Sequence, residues 1–183
     1  GAKVDGARDI GVPLFLSALN GPVGVVIHLL SHGANVNQPQ SMDSVDSSGN
    51  VLLHKGSMPL HAAAYGGHAK ATTLLIRNDA SLDAARRAIT GEMLTHKVLK
   101  GRFLAIISEL IGAGASASIA TNEGATPIHY AAAIGDLQII DLLHAASPDT
   151  LNAPDKFGRT PLGWAAMSER EEVLHHLLSI GAS

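Results

Sequence analysis

The side chains with the most chemistry to offer are the ten histidines. His28 and His32 stand four places apart, a spacing that sets two imidazoles one above the other on a helix and suits two ligands of a metal ion. A zinc hydrolase built on that spacing carries a Glu directly after its first His; here Leu29 follows His28, and no third ligand is evident. His175 and His176 are neighbours, so they project from different faces of a helix, about 100° apart. The chain has no cysteine, which removes disulfides, thiolate metal ligands and Cys nucleophiles together. It also has no glycine-rich phosphate loop, no nucleophile elbow and no paired acids at a working distance. The expectation is therefore a protein that is not an enzyme, with no catalytic residue, no metal site and no cofactor.

Charge is the other source of chemistry. Arg86, Arg87, Lys97, Lys100 and Arg102 make residues 84 to 102 locally basic, with Glu92 the only acid among them. The plain reading is a solvated face; the sharper one is a dock for an acidic or phosphorylated peptide, in which Lys100 takes part. Over the whole chain the formal net charge is −3, without the basic excess that nucleic acid or an anionic membrane usually meets. No apolar run reaches the length of a membrane span, and the start, Gly1 to Asp5, has no signal-peptide pattern. The expected setting is intracellular, cytoplasmic or nuclear.

The elements that position these residues follow from self-similarity. Of 183 residues 46% are hydrophobic but only 3% aromatic, so Ala, Leu, Ile and Val carry the apolar content and favour closely packed helices. Four segments line up, opening at Pro13, Pro59, Pro127 and Pro161. Each carries a small-residue pair one turn later, as in Ala63-Ala64, Ala131-Ala132 and Ala165-Ala166, and each ends on an apolar pair such as Leu29-Leu30 or Leu177-Leu178. Pro59 to Pro127 is 68 residues and Pro127 to Pro161 is 34, so a fifth, worn unit lies between, recognisable by Leu110, Ile111, Gly114 and Ala115. The units run 6–37, 54–83, 84–118, 122–152 and 155–183, in a single repeat domain.

Each recurring place has a physical reason. Thr126 or Thr160 caps a helix whose first turn holds Pro127 or Pro161, where a missing amide hydrogen costs nothing. The alanines keep that helix thin. Gly21, Gly67 and Gly135 allow the chain to reverse. A second helix follows, with Val25, Val26, Leu29 and Leu30 expected as one buried stripe. Gly33 and Ala34 end it, and a polar hairpin finger leads to the next unit. Between Asn37 and Pro59 about thirteen extra residues make a long loop, 38–57, either a tolerated surface insertion or a binding loop anchored by Val51, Leu52, Leu53 and His54.

This layout, at a period of about 33 residues, resembles the ankyrin repeat family over nearly the whole chain. The resemblance implies an all-α solenoid of stacked helix-turn-helix units with hairpin fingers. It also implies that His61 and His129, fourth in the opening motif, tie neighbouring fingers by hydrogen bonds. Both ends of the chain fall at the same phase of the repeat and the first residue is not Met, so further repeats are expected before the first.

In proteins of this family the concave side binds protein partners, and the resemblance implies a protein-binding module or scaffold here. The alternative is a passive spacer or regulatory array attached to other domains. Matching positions in the fingers are Arg8, Asp9, His54, Lys55, Asn122, Glu123, Lys156, Phe157 and Arg159. On the ends of the first helices they are Leu19, Asn20, Tyr65, Ile134, Met167 and Ser168. Phe157 and Tyr65 stand out, because aromatics and Arg dominate interface energies. Tyr130 and Trp164 sit where Leu is usual, and packing accounts for both.

Overall fold

The computed structural model describes residues 13–45, 51–53, 55–82 and 100–183, with the backbone alone at 51, 52 and 100–103. Among the described residues the fold is all-α, apart from one short hairpin. The chain divides into two compact bodies, Gly1–Ala85 and Arg86–Ser183.

In the first body α1 (Pro13–Asn20) and α2 (Val23–Ser31) form one antiparallel pair, and α3 (Pro59–Tyr65) and α4 (Ala69–Arg77) form the next. Like packs on like: α1 lies against α3, and α2 against α4. Leu14, Phe15, Val26, Leu60 and Leu75 fill the space between them, and Ala62, Ala63 and Ala64 allow the close approach. In the second body α5 (Lys100–Gly112) precedes the pair α6 (Pro127–Ile134) and α7 (Leu137–Ala146), then the pair α8 (Pro161–Met167) and α9 (Glu171–Ser179). Ile106, Ile107, Leu110, Ile128, Ile140, Leu143 and Leu177 form its core. His176 Nε2 meets Asp141 Oδ1 at 2.6 Å, joining the second helices of successive pairs.

The helix starts are made locally. Thr160 Oγ accepts from the Gly163 amide at 3.4 Å, and Asp136 Oδ1 accepts from the Ile139 amide at 3.2 Å. The reversals are local as well: Gly21 (φ 83°), Gly67 (φ 73°) and Gly135 (φ 88°) all occupy the left-handed region.

Two of these reversals have a second cause. His68 Nε2 reaches back to the carbonyl of Leu19 at 3.0 Å, and Arg170 Nε donates to the carbonyl of Ala133 at 2.9 Å. Both side chains come from the start of a second helix and bond a carbonyl in the last turn of the preceding first helix, where carbonyls lack partners and cations are favoured. Each lies over the glycine of that earlier turn. A Cβ on Gly21 would stand 2.4 Å from the His68 ring, and one on Gly135 would stand 3.2 Å from Arg170 Cδ.

Three local expectations are corrected. Val25 is 48% exposed while Val26 is fully buried, because neighbours on a helix diverge by about 100° and only one narrow side of α2 meets α1 and α4. Leu29 and Leu30 are half-buried, so the stripe is Val26 flanked by partly covered leucines. Ala166, unlike Ala64 and Ala132, is exposed, because it lies off the sides of α8 that meet α6 and α9. In the long insertion, β1 (Ser44–Val45) pairs antiparallel with β2 (Val51–Leu53), and Leu53 is 3% exposed. Leu53 is thus a core residue and no anchor for a partner. The side chains of Val51 and Leu52, and all of His54, lie outside the described residues.

Candidate functional site

The site is built on two fingers of the second body. In the finger at 121–125 the Thr121 amide donates to the Ala125 carbonyl at 2.9 Å, and Gly124 N donates to the Thr121 carbonyl at 2.9 Å. The finger at 155–159 repeats this with Asp155 N to Arg159 O at 2.9 Å and Gly158 N to Asp155 O at 2.9 Å. Thr121 and Asp155, 34 residues apart, play one part: the side-chain oxygen of each takes the amides two and four places on. The fingers are joined by Lys156 N donating to the Glu123 carbonyl at 2.8 Å and by the ion pair of Lys156 Nζ with the Glu123 carboxylate. Gly124 permits that approach, because a Cβ there would stand 3.0 Å from Lys156 N.

Asp155 is the hub. Its buried carboxylate accepts from the amides of Phe157 and Arg159 at 2.9 Å each, from Arg159 Nε at 2.7 Å and from Trp164 Nε1 at 2.9 Å. Loss of water pushes its pKa upward, but the hydrogen bonds from Arg159, Trp164 and Phe157 outweigh this and hold the carboxyl well below the usual carboxylate range. Arg159, fixed in this way, lies 4.6 Å from the centre of the Phe157 ring and 5.5 Å from that of Trp164. Lys156 Nζ lies 4.9 Å from the Phe157 ring.

His129 joins the first helix of one pair to the next finger. Its Nδ1 accepts from the Thr126 amide at 3.1 Å, so Nε2 carries the hydrogen that goes to the Arg159 carbonyl, also at 3.1 Å. The tie between fingers expected at this position is present. Burial lowers its pKa below 6.5, against the raising effect of the Arg159 carbonyl and Asp155. At the matching place in the first body, His61 Nδ1 accepts from the Met58 amide at 2.9 Å.

Aromatic packing carries the surface inward. Trp164 contacts Tyr130 edge-on at 5.1 Å between ring centres and His129 at 5.3 Å. Ile134 is one turn beyond Tyr130 on α6, and Met167 is one turn beyond Trp164 on α8, which places each pair on one helix face. Phe157 is 61% exposed and Met167 67%.

Of the sequence-selected residues, Glu123, Lys156, Phe157 and Arg159 come together in one cluster, with exposed Asn122 beside Glu123. Ile134 is half-buried at the end of α6. Leu19, Asn20, Lys55 and Tyr65 belong to the other body. Leu19 gives its carbonyl to His68, Asn20 Nδ2 donates to Leu16 O at 2.9 Å, the Lys55 amide donates to Asp43 Oδ1 at 2.6 Å, and Tyr65 is half-buried at the end of α3. Arg8, Asp9 and His54 lie outside the described residues, as do Arg86, Arg87, Lys97 and the side chains of Lys100 and Arg102. Sequence reasoning missed Asp155 as a hub and read Trp164 as packing alone. The available signal was an Asp at the base of a finger, four places before Arg159.

His28 on α2 and His32, the residue that caps its end, are both exposed, with ring centres 4.2 Å apart, and His32 Nδ1 donates to the His28 carbonyl at 2.8 Å. Among the described residues no three His, Asp or Glu side chains group as metal ligands, and no helix is long and apolar enough to cross a membrane.

Helix pairs packed like on like, closed by left-handed glycines and linked by hydrogen-bonded fingers, define a helical repeat protein whose variable residues stand on a fixed frame. Comparison with known families agrees. The model for ankyrin repeats in three copies matches residues 94–183, and that for a single ankyrin repeat matches 55–87, so this chain belongs to the ankyrin repeat family. It is also 27% identical over 155 residues to the probable 26S proteasome regulatory subunit p28 of Saccharomyces cerevisiae. That alignment takes in 85% of this chain and spans 64% of the relative's length.

Proposed function

We propose that the chain is a non-catalytic recognition module that binds a protein partner through the fingers and first-helix ends of its second body. The observation that carries this reading is the exposure of two large apolar side chains, Phe157 on a finger held by the buried Asp155 network and Met167 at the end of the helix that follows it. Exposed aromatics on a rigid frame lose little entropy on binding and contribute more than most contacts. The five-unit division given above is the frame of this reading, with Glu123, Lys156 and Arg159 setting the position of Phe157. Similarity to a proteasome regulatory subunit supports a regulatory role within a larger assembly, and with it a cytoplasmic or nuclear setting.

The test is affinity purification of the chain and of a Phe157→Ser, Met167→Ser double variant, compared by quantitative mass spectrometry. Specific proteins should be depleted about fivefold or more by the double variant, and a proteasome component among them would support the subunit reading. Recovery of the same proteins in equal amount by both forms would overturn the surface assignment.

A further inference from the structure

The recognition role proposed above leaves the two histidines at the end of α2 without a task. No Asp, Glu, Lys or Arg occurs between residues 10 and 42, so His28 and His32 are the only ionisable side chains in that stretch. The His32 amide still donates to the His28 carbonyl at 3.2 Å, which keeps the two residues one helical turn apart although His32 only caps the helix. Both side chains are exposed, and their ring centres lie 4.2 Å apart. The bonds made here prepare one ring as a ligand. A carbonyl only accepts, so the 2.8 Å contact from His32 Nδ1 to the His28 carbonyl places the ring hydrogen on Nδ1 and leaves the Nε2 lone pair open. Metal-bound imidazoles are characteristically held this way, the far nitrogen donating to a carbonyl that fixes tautomer and ring. Among the described residues neither ring nitrogen of His28 is taken up in a hydrogen bond. The end of a helix, with its unpaired carbonyls, also favours a cation.

We propose that His28 and His32 form a two-ligand clip for a divalent first-row transition ion such as Zn²⁺, with water completing its coordination. Imidazole nitrogen suits ions of this class, whereas Mg²⁺ and Ca²⁺ seek oxygen, and no carboxylate lies between residues 10 and 42. Two imidazoles on one tetrahedral ion have ring centres about 5 Å apart, so the two exposed rings need to splay by only about 1 Å to grip it. The expectation of no metal site followed from the lack of a third protein ligand; an exposed clip does without one and binds less tightly for it. The ion joins the last turn of α2 to its cap, just before the left-handed reversal at Gly33. Binding that requires the folded spacing stabilises the first body.

Calorimetric titration of the whole chain with ZnCl2, and separately with MgCl2, in a buffer that does not bind metal tests this. Zinc should bind saturably and magnesium should not. His28→Ala and His32→Ala should each weaken zinc binding about tenfold or more. His175→Ala removes another exposed histidine, one turn from Glu171, and should leave the affinity within about twofold of wild type. Circular dichroism checks that each variant is folded, and its thermal melts should show zinc raising the midpoint of wild type and His175→Ala but of neither α2 variant. Absence of saturable zinc binding would overturn the proposal, as would an affinity unchanged in both α2 variants. A loss confined to one of those two would mean a single-ligand contact and end the assignment of a clip. Similar losses in all three variants would mean an adventitious ion only, shared among surface histidines, and would overturn it as well.

Discussion

The indole nitrogen of Trp164 donates to Asp155 Oδ2 at 2.9 Å, tying a first helix to the base of the finger that precedes it. The same oxygen takes Arg159 Nε at 2.7 Å, so a single buried carboxylate holds the finger's turn, its cation and the helix behind it. A buried acceptor with several donors leaves all of them unsatisfied when it is removed. Asp155→Ala should lower the thermal midpoint by several degrees and loosen the finger, seen as faster amide exchange at Phe157 and Arg159. Asp155→Asn should fall between, since it keeps an acceptor oxygen and loses the charge. A midpoint for Asp155→Ala equal to wild type would rule out the hub role.

His129 gives the fold an acid-sensitive joint. Its Nδ1 accepts from the Thr126 amide and its Nε2 donates to Arg159 O, a division of roles open only to the neutral ring. With the folded pKa depressed by burial below the ordinary 6.5, the unfolded chain takes up the proton more readily. This contribution is therefore fully present above about pH 6.5 and is lost as pH falls toward the folded value. Asp155, also depressed, keeps its contribution down to the ordinary carboxylate value of 3.8 and loses it only below. Urea midpoints at pH 7.5 and pH 5.5 should differ more for wild type than for His129→Gln; an equal loss in both would contradict this account.

Gly21 and Gly33 have similar backbone angles, φ 83° and 82°, yet unlike surroundings. Nothing stands within 4 Å of a Cβ on Gly33, whereas one on Gly21 would meet the His68 ring. Gly33→Ala should cost about 1 kcal/mol for the left-handed conformation alone. Gly21→Ala should cost about 1 kcal/mol more, as the ring gives up its bond to Leu19 O. In a His68→Ala background the two substitutions should become equivalent, and denaturant titration of the six proteins, wild type and His68→Ala each with neither, one or the other glycine replaced, measures this. A surplus cost that persists without His68 would place its origin elsewhere.

The Lys156–Glu123 ion pair contributes to position and little to stability. Both side chains are about half exposed, and such pairs are worth about 0–1 kcal/mol. Lys156→Ala should leave the unfolding free energy within about 1 kcal/mol of wild type, well short of the effect of Ile140→Ala, a fully buried core truncation expected to cost about 2–5 kcal/mol. Chemical denaturation of the two variants side by side gives the comparison, and the reverse order would refute it.

What the sequence determined by itself is what a few adjacent residues settle. Proline in the first turn, Thr160 before it and glycine in the left-handed reversal act within about four residues, so helix starts and stops were legible, and their recurrence, 34 residues apart at Pro127 and Pro161 and twice that from Pro59 to Pro127, identified the repeat. The tertiary structure alone decided which side of each element is covered. Val25 and Val26 read alike as letters, yet one is exposed and the other buried, because only one side of α2 meets its neighbours. Leu53 looked like an anchor offered outward and is a core residue. Asp155 looks like an ordinary surface polar residue until its finger folds back on α8, and His68 and Arg170 do until the preceding unit is laid against them. Their partners are then Trp164, Leu19 and Ala133, up to 49 residues away. Such contacts depend on how units stack, and stacking is settled by packing between helix pairs, which no local pattern encodes.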